Sequence, residues 1–86
     1  MFYFYVLQSL MDNQLYFGYT ADLKRRFKEH SDNRVIATRR RQPMRLVYYE
    51  AYSAEKDARA REFQIKRRAK AYIGLKCRIT NSLIIK

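Results

Sequence analysis

Two short aromatic and β-branched runs open the chain, and a basic amphipathic stretch follows the second with no linker between them. Met1 to Gln8 and Leu15 to Tyr19 are rich in strand-forming residues. The turn residues Met11-Asp12-Asn13-Gln14 separate them, and so short a connection predicts an antiparallel hairpin. Thr20 is a suitable N-cap, and Asp22 just after it suits the positive end of a helix dipole. A first helix is therefore predicted to run to about His30, with Ser31-Asp32-Asn33 stopping it.

Arg34 to Arg45 reads as a loop, and Leu46 to Tyr52 as a third strand with aromatic and β-branched residues at its centre. Ser53 is placed to cap a second helix from about Ala54 to Ala69. A third is predicted from Lys70 to Leu83, with Tyr72, Leu75, Ile79 and Leu83 on one stripe. The order ββαβαα predicts an α+β fold, with three helices packed on a small three-stranded sheet. With 86 residues, no repeat and no Gly/Ser linker, one domain over residues 1–86 is expected. A hydrophobic content of 48% argues against disorder. The lone Cys77 cannot close an intrachain disulfide, and one Cys with one His cannot build a zinc site. The apolar N-terminus lacks a basic leader and is too short to span a bilayer. A soluble cytoplasmic protein with no small-molecule cofactor is expected.

The charge is one-sided: 19 Lys and Arg oppose 8 Asp and Glu, a net of +11. A compact domain this positive repels itself unless a polyanion neutralises it. Nucleic acid fits best, because each neutralised phosphate releases counterions. A solvated basic surface and an acidic membrane face are the competing explanations.

Two helical stripes carry polar residues where apolar ones belong. Leu23, Arg26, Phe27 and His30 fall at i, i+3, i+4 and i+7, the inward stripe of an amphipathic helix. Lys24, Arg25, Lys28 and Glu29 take the solvent side. Arg26 and His30 are expected along the edge of the core-facing stripe, beside the hairpin that supplies Tyr5 and Tyr16. In the second helix Glu62 interrupts the line Ala58, Ile65, Ala69. A carboxylate there needs a guanidinium or a metal, unless it simply pairs with Lys66 one turn on. Glu50, between Tyr48 and Tyr52, is a second acid, for which contact with an Arg is the favoured expectation.

In this order the residues resemble the GIY-YIG nuclease superfamily, in its compact stand-alone bacterial form. Tyr3-Phe4-Tyr5 stands in place of Gly-Ile-Tyr, and Tyr16-Phe17-Gly18 in place of Tyr-Ile-Gly. Arg26 follows Tyr16 by ten residues and His30 follows by four more. Leu46-Val47-Tyr48-Tyr49-Glu50 is similar to the subgroup's third-strand signature, and Arg61-Glu62-Phe63-Gln64-Ile65-Lys66 to its metal-ligand helix. The resemblance implies catalytic roles for Tyr5, Tyr16, Arg26, His30 and Glu62, with Glu62 as metal ligand. Asn81 matches the family's late Asn only loosely.

A single carboxylate suits Mg²⁺ or Mn²⁺ that retains several waters. Arg26 would stabilise developing negative charge, a tyrosine would orient or deprotonate water, and His30 would share the proton or hold a hydroxyl. Arg34, Arg39, Arg40, Arg41 and Arg45 form one basic run, and Lys66, Arg67, Arg68 and Lys70 a second. With Lys24 and Arg25 they are candidates for backbone phosphate contacts, which position a strand without reading its sequence. The expected function is a divalent-metal-dependent endonuclease on DNA, in repair or recombination, with RNA as a further substrate class. The alternatives are a non-catalytic basic nucleic-acid binder and a nuclease subunit that works with a partner protein or as a homodimer.

Overall fold

A computed structural model describes residues 1–83. Strands β1 (Phe2–Ser9) and β2 (Leu15–Thr20) form the antiparallel hairpin, and β3 (Met44–Tyr52) adds antiparallel on the other side of β1. The sheet order is β2-β1-β3. Helix α1 (Leu23–Ser31) connects β2 to β3, and α2 (Glu55–Arg67), α3 (Ala69–Arg78) and a 3₁₀ turn (Thr80–Ser82) follow. This is the α+β, ββαβαα architecture that the sequence predicts.

The central position of β1 explains its composition. Phe4 to Ser9 are all buried, because the strand is covered on both faces. Alternation then sorts its side chains. Phe4 and Val6 pack with Ile65, Leu75 and Ile79 of the α2–α3 side. Tyr5 and Leu7 pack with Met44, Tyr16, Leu46 and the α1 residues Leu23 and Phe27. One strand therefore serves two cores, with α1 on one face and α2 and α3 on the other.

Several boundaries differ from expectation. The N-cap of α1 is Asp22, whose carboxylate accepts from the Arg25 amide at 3.0 Å. Thr20 sits buried at the end of β2, and its hydroxyl accepts from the Asp22 amide at 3.1 Å. Ser53 does not cap α2. Ala54 holds that place without a side-chain bond, and Glu55 and Asp57 supply negative charge to the first turn. Helix α3 ends at Arg78, five residues before Leu83, because the Thr80 hydroxyl donates to the Lys76 and Cys77 carbonyls at the helix end. Leu83 still packs against the Phe4–Val6 cluster from beyond the turn. Strand β3 begins at Met44, so Arg45 belongs to the sheet, where it donates to the Ser82 carbonyl at 2.6 Å.

Candidate active site

Tyr5 and Gly18 are directly paired in the β1–β2 register. A Cβ on Gly18 would lie 2.5 Å from the Tyr5 hydroxyl oxygen, so the phenol lies over the bare backbone of residue 18. The glycine of Tyr16-Phe17-Gly18 is there to let Tyr5 lie flat across β2. Tyr16 shares that face of the sheet, its ring centroid 6.4 Å from that of Tyr5.

Helix α1 delivers the imidazole and guanidinium. His30 is fully buried and meets both rings edge-on, with centroids 5.8 Å from Tyr5 and 5.1 Å from Tyr16. It therefore lies in the core rather than along its edge. Its Nε2 is 2.9 Å from the Tyr5 hydroxyl, and its Nδ1 is 2.7 Å from Thr38 Oγ1. The Arg26 guanidinium, which can only donate, also acts on the Tyr5 hydroxyl and pulls its pKa down. The phenol's own proton is then directed to Nε2, which assigns the imidazole proton to Nδ1, donating to Thr38. Burial, with Arg26 adding to it, pushes the His30 pKa down to about 4, so the ring is neutral at pH 7. Burial pushes Tyr5 up to about 12, against the pull of Arg26. Arg26 is half-buried; burial works against its charge, but the Tyr5 oxygen and the Glu29 carboxylate, 3.1 Å away, more than offset that and raise its pKa.

Glu62 is held differently. It lies on the sheet-facing stripe of α2 between Ala58 and Ile65, half-buried, with Lys66 Nζ 3.1 Å from its carboxylate. No hydrogen bond joins it to Tyr5, but its charge acts on that phenol and raises its pKa. The structure thus gathers Tyr5, Tyr16 and His30 in direct contact and brings Arg26 and Glu62 within electrostatic reach of the Tyr5 phenol. Among the described residues, no group of three or more His, Cys, Asp or Glu gathers as a metal cage. The donor set is one carboxylate whose Lys66 partner is exposed and exchangeable. That fits Mg²⁺ or Mn²⁺, which take one or two carboxylates and complete their shell with water and phosphate.

Glu50 lies on the opposite face, paired with Phe4 in the register. Its carboxylate accepts from the Tyr48 hydroxyl at 2.6 Å, from Tyr52, and from Arg61 Nε at 3.1 Å. Burial raises its pKa, but these three partners outweigh it and hold the group ionised below the usual range. Asn81 sits exposed in the 3₁₀ turn, between Ile79 and Leu83, which both pack on that same Phe4–Val6 side.

The loop from α1 to β3 is pinned at three points. Thr38 holds His30, Gln42 Nε2 donates to the His30 carbonyl, and Ser9 Oγ donates to the Arg41 carbonyl at 2.7 Å. Arg39 and Arg40 are exposed between the pins, and Arg34 is exposed ahead of the first. Arg41 does not join them: it is half-buried, with Asp12 3.4 Å from its Nε. Lys24 and Arg25 are exposed on α1. Arg67 is exposed with its guanidinium over the Phe63 ring, and exposed Arg68 lies at the α2–α3 junction, lining a groove with Lys66. Thr38 and Gln42 escaped sequence reasoning, because neither their type nor their spacing marks them out.

The fold and this cluster define the class. The GIY-YIG catalytic domain matches residues 1–76, and the chain belongs to that family. It is similar to a UPF0213 protein of Pediococcus pentosaceus, 39% identical over 71 residues that cover 81% of this chain and 74% of the relative. A UPF0213 protein of Bacillus velezensis is 34% identical over 89 residues, covering 98% of this chain and 89% of the relative. The solution NMR structure of a UPF0213 protein from Bacillus halodurans superposes with a TM-score of 0.52 at 36% identity, covering 88% of this chain and 86% of that one. The domain points to an endonuclease superfamily and a nucleic-acid substrate.

Proposed function

We propose that the protein is a divalent-metal-dependent endonuclease that hydrolyses phosphodiester bonds in DNA. The observation that carries this is the Tyr5–His30–Arg26 contact: a buried phenol held from one side by a neutral imidazole and polarised from the other by a guanidinium. A structural core gains little from such a group, whereas phosphodiester hydrolysis needs an oriented oxygen beside a fixed positive charge.

Arg26 donates to the non-bridging phosphate oxygens as negative charge builds on them. Tyr5 is the base that orients and deprotonates the attacking water. His30, held on its two ring nitrogens by Tyr5 and Thr38, takes a positioning role. It fixes the direction of the Tyr5 hydroxyl. Tyr16, half-buried beside both rings, closes the phenol side of the site. Glu62 is the residue that would hold Mg²⁺ or Mn²⁺, which supplies Lewis-acid polarisation of the phosphate and relief of charge on the leaving oxygen. Arg34, Arg39, Arg40, Lys24 and Arg25 steer the backbone from the α1 side, and Lys66, Arg67 and Arg68 from α2. Contacts to the phosphate do not by themselves distinguish ribose from deoxyribose, which leaves RNA as a second substrate class, and a partner protein or second copy would add specificity. A role in DNA repair or recombination follows from cutting without base readout. A cytoplasmic setting suits the lone, free Cys77. No helix among the described residues is long and apolar enough to cross a membrane.

The test is incubation of the pure protein with supercoiled plasmid and Mn²⁺ or Mg²⁺. Nicking is expected, abolished by EDTA and lost on the order of 10²–10³-fold in Arg26→Ala with DNA binding retained. Because Tyr5 is pushed up to about 12, its phenolate fraction grows with pH, and the rate is expected to climb from pH 7 into the alkaline range. Binding without cleavage of any substrate would leave a non-catalytic binder.

A further inference from the structure

Beyond Tyr5, the same face of the sheet runs into a groove of about 500 Å³ between α1 and β3. Tyr3, Tyr49, Leu46, Leu23 and Phe27 line it, with exposed Lys24 beside them. Tyr49 is 52% exposed, and Tyr3 meets it edge-on with ring centroids 5.8 Å apart. Tyr49 is also the β3 residue paired directly with Tyr5. Directly paired residues hold their Cβ atoms about 5 Å apart on one face, so the exposed ring adjoins the reactive phenol.

We propose that this groove receives one unpaired nucleobase of the bound strand, stacked on Tyr49 next to the linkage held at Arg26 and Tyr5. The assignment of that linkage rests on the nuclease reading above; the stacking does not need cleavage to be measured. A base has two flat apolar faces and an anionic tether, and the groove offers aromatic walls with a lysine. The acid lining it, Asp22, is already committed to capping α1. A chain of net charge +11 attracts a polyanion rather than a neutral protein partner, and exposed Lys24 and Arg25 of α1 put part of that charge beside this groove. A base within a duplex is stacked on both sides and unavailable, so the substrate class is a strand with at least one unpaired nucleotide at the cut.

The experiment titrates a fluorescently labelled thymidine octanucleotide, and an abasic deoxyribose-phosphate octamer of the same charge, into the full chain in EDTA. The wild type is expected to bind the thymidine strand about 5- to 150-fold more tightly than the abasic one, the span of a single base–aromatic stack. Tyr49→Ala, half-exposed and outside the catalytic cluster, should bind both strands alike, and Tyr49→Phe should restore the difference. Equal binding of both strands by the wild type overturns the proposal, as does discrimination that survives in Tyr49→Ala. Equal weakening of both strands in Tyr49→Ala also overturns it, since that loss is not stacking. Discrimination without nicking in Mn²⁺ keeps the base subsite and removes the nuclease. Nicking without discrimination does the reverse.

Discussion

The two faces of β1 each bury a polar cluster, and they satisfy it in opposite ways. Under α2, Glu50 is met by two phenols and a guanidinium, and its charge is neutralised on the spot. Under α1, Tyr5 is met by a neutral imidazole and a guanidinium, with no carboxylate among the described residues in contact with it. The first cluster is closed: its donors and acceptors are matched, and burial of the acid is compensated. The second also has its cation paired, Arg26 with Glu29 on its own helix, but that pair is the more exposed of the two. Matched networks hold structure. A partly exposed ion pair can exchange its carboxylate for another anion, and under the proposed function that anion is a phosphodiester.

The largest expected effect separates the two acids. Glu62→Gln should lower metal-dependent nicking by on the order of 10²–10³-fold while thermal unfolding is nearly unchanged, because its exposed Lys66 pair is worth about 0–1 kcal/mol. Glu50→Gln should do the opposite. It strands Arg61 and two hydroxyls at a cost of about 1–3 kcal/mol, seen as a lower Tm, while the folded enzyme still cuts. A Glu50→Gln protein of full stability that does not cut would mean the faces are not separable in this way.

A smaller effect compares the two glycines. Gly18→Ala forces a methyl to within 2.5 Å of the Tyr5 oxygen, at a buried position of the edge strand β2. Tyr5 must move, and a shift near 1 Å is expected to slow cleavage by on the order of 10²-fold and to destabilise by about 1–3 kcal/mol. Gly74, inside α3, has open space where a methyl would stand, with nothing within 4 Å. Gly74→Ala should therefore stabilise by about 0.5–1 kcal/mol with activity intact. Equal behaviour of the two variants in melting and nicking assays would remove Gly18 from the site.

The Phe4 side and the Tyr5 side were not equally legible in the sequence. Strand and helix order followed from period and turn chemistry, and the polar interruptions at Arg26, His30 and Glu62 marked the stripes that mattered. Caps were misassigned at Thr20 and Ser53 because Asp22 and the acidic first turn of α2 offered rival solutions of similar strength. The depth of His30 was missed for a different reason. An amphipathic pattern places a residue on a stripe but does not say how far the loop beyond it folds back to cover it. That cover is Thr38 and Gln42, whose contacts are set by loop geometry and leave no periodic trace. Arg41 is a similar case: its ion pair with Asp12 joins two loops distant in sequence, so a run of arginines looked uniform when one of them was structural.

Thr38 gives the smallest effect and the finest comparison. In the tautomer assigned above its hydroxyl accepts the Nδ1 proton of His30, and through that contact the arginine loop reaches the phenol side of the site in a single step. Thr38→Val keeps the shape and removes the acceptor, leaving a buried N–H unsatisfied at about 1–3 kcal/mol. The imidazole can then relieve itself by moving its proton to Nε2, which would turn that nitrogen from acceptor to donor and reverse the Tyr5 hydrogen bond. Nitrogen NMR of the ring at pH 7, well above its pKa of about 4, should show one Nδ1-protonated tautomer in the wild type and a mixture in the variant. Cleavage should fall by roughly the mixed fraction, tenfold at most for each 1.4 kcal/mol lost, while Arg34, Arg39 and Arg40 still bind DNA as before. A mixed tautomer with unchanged cleavage would show that Tyr5 is oriented by Arg26 alone, and the imidazole would join Glu50 among the groups that only hold the fold.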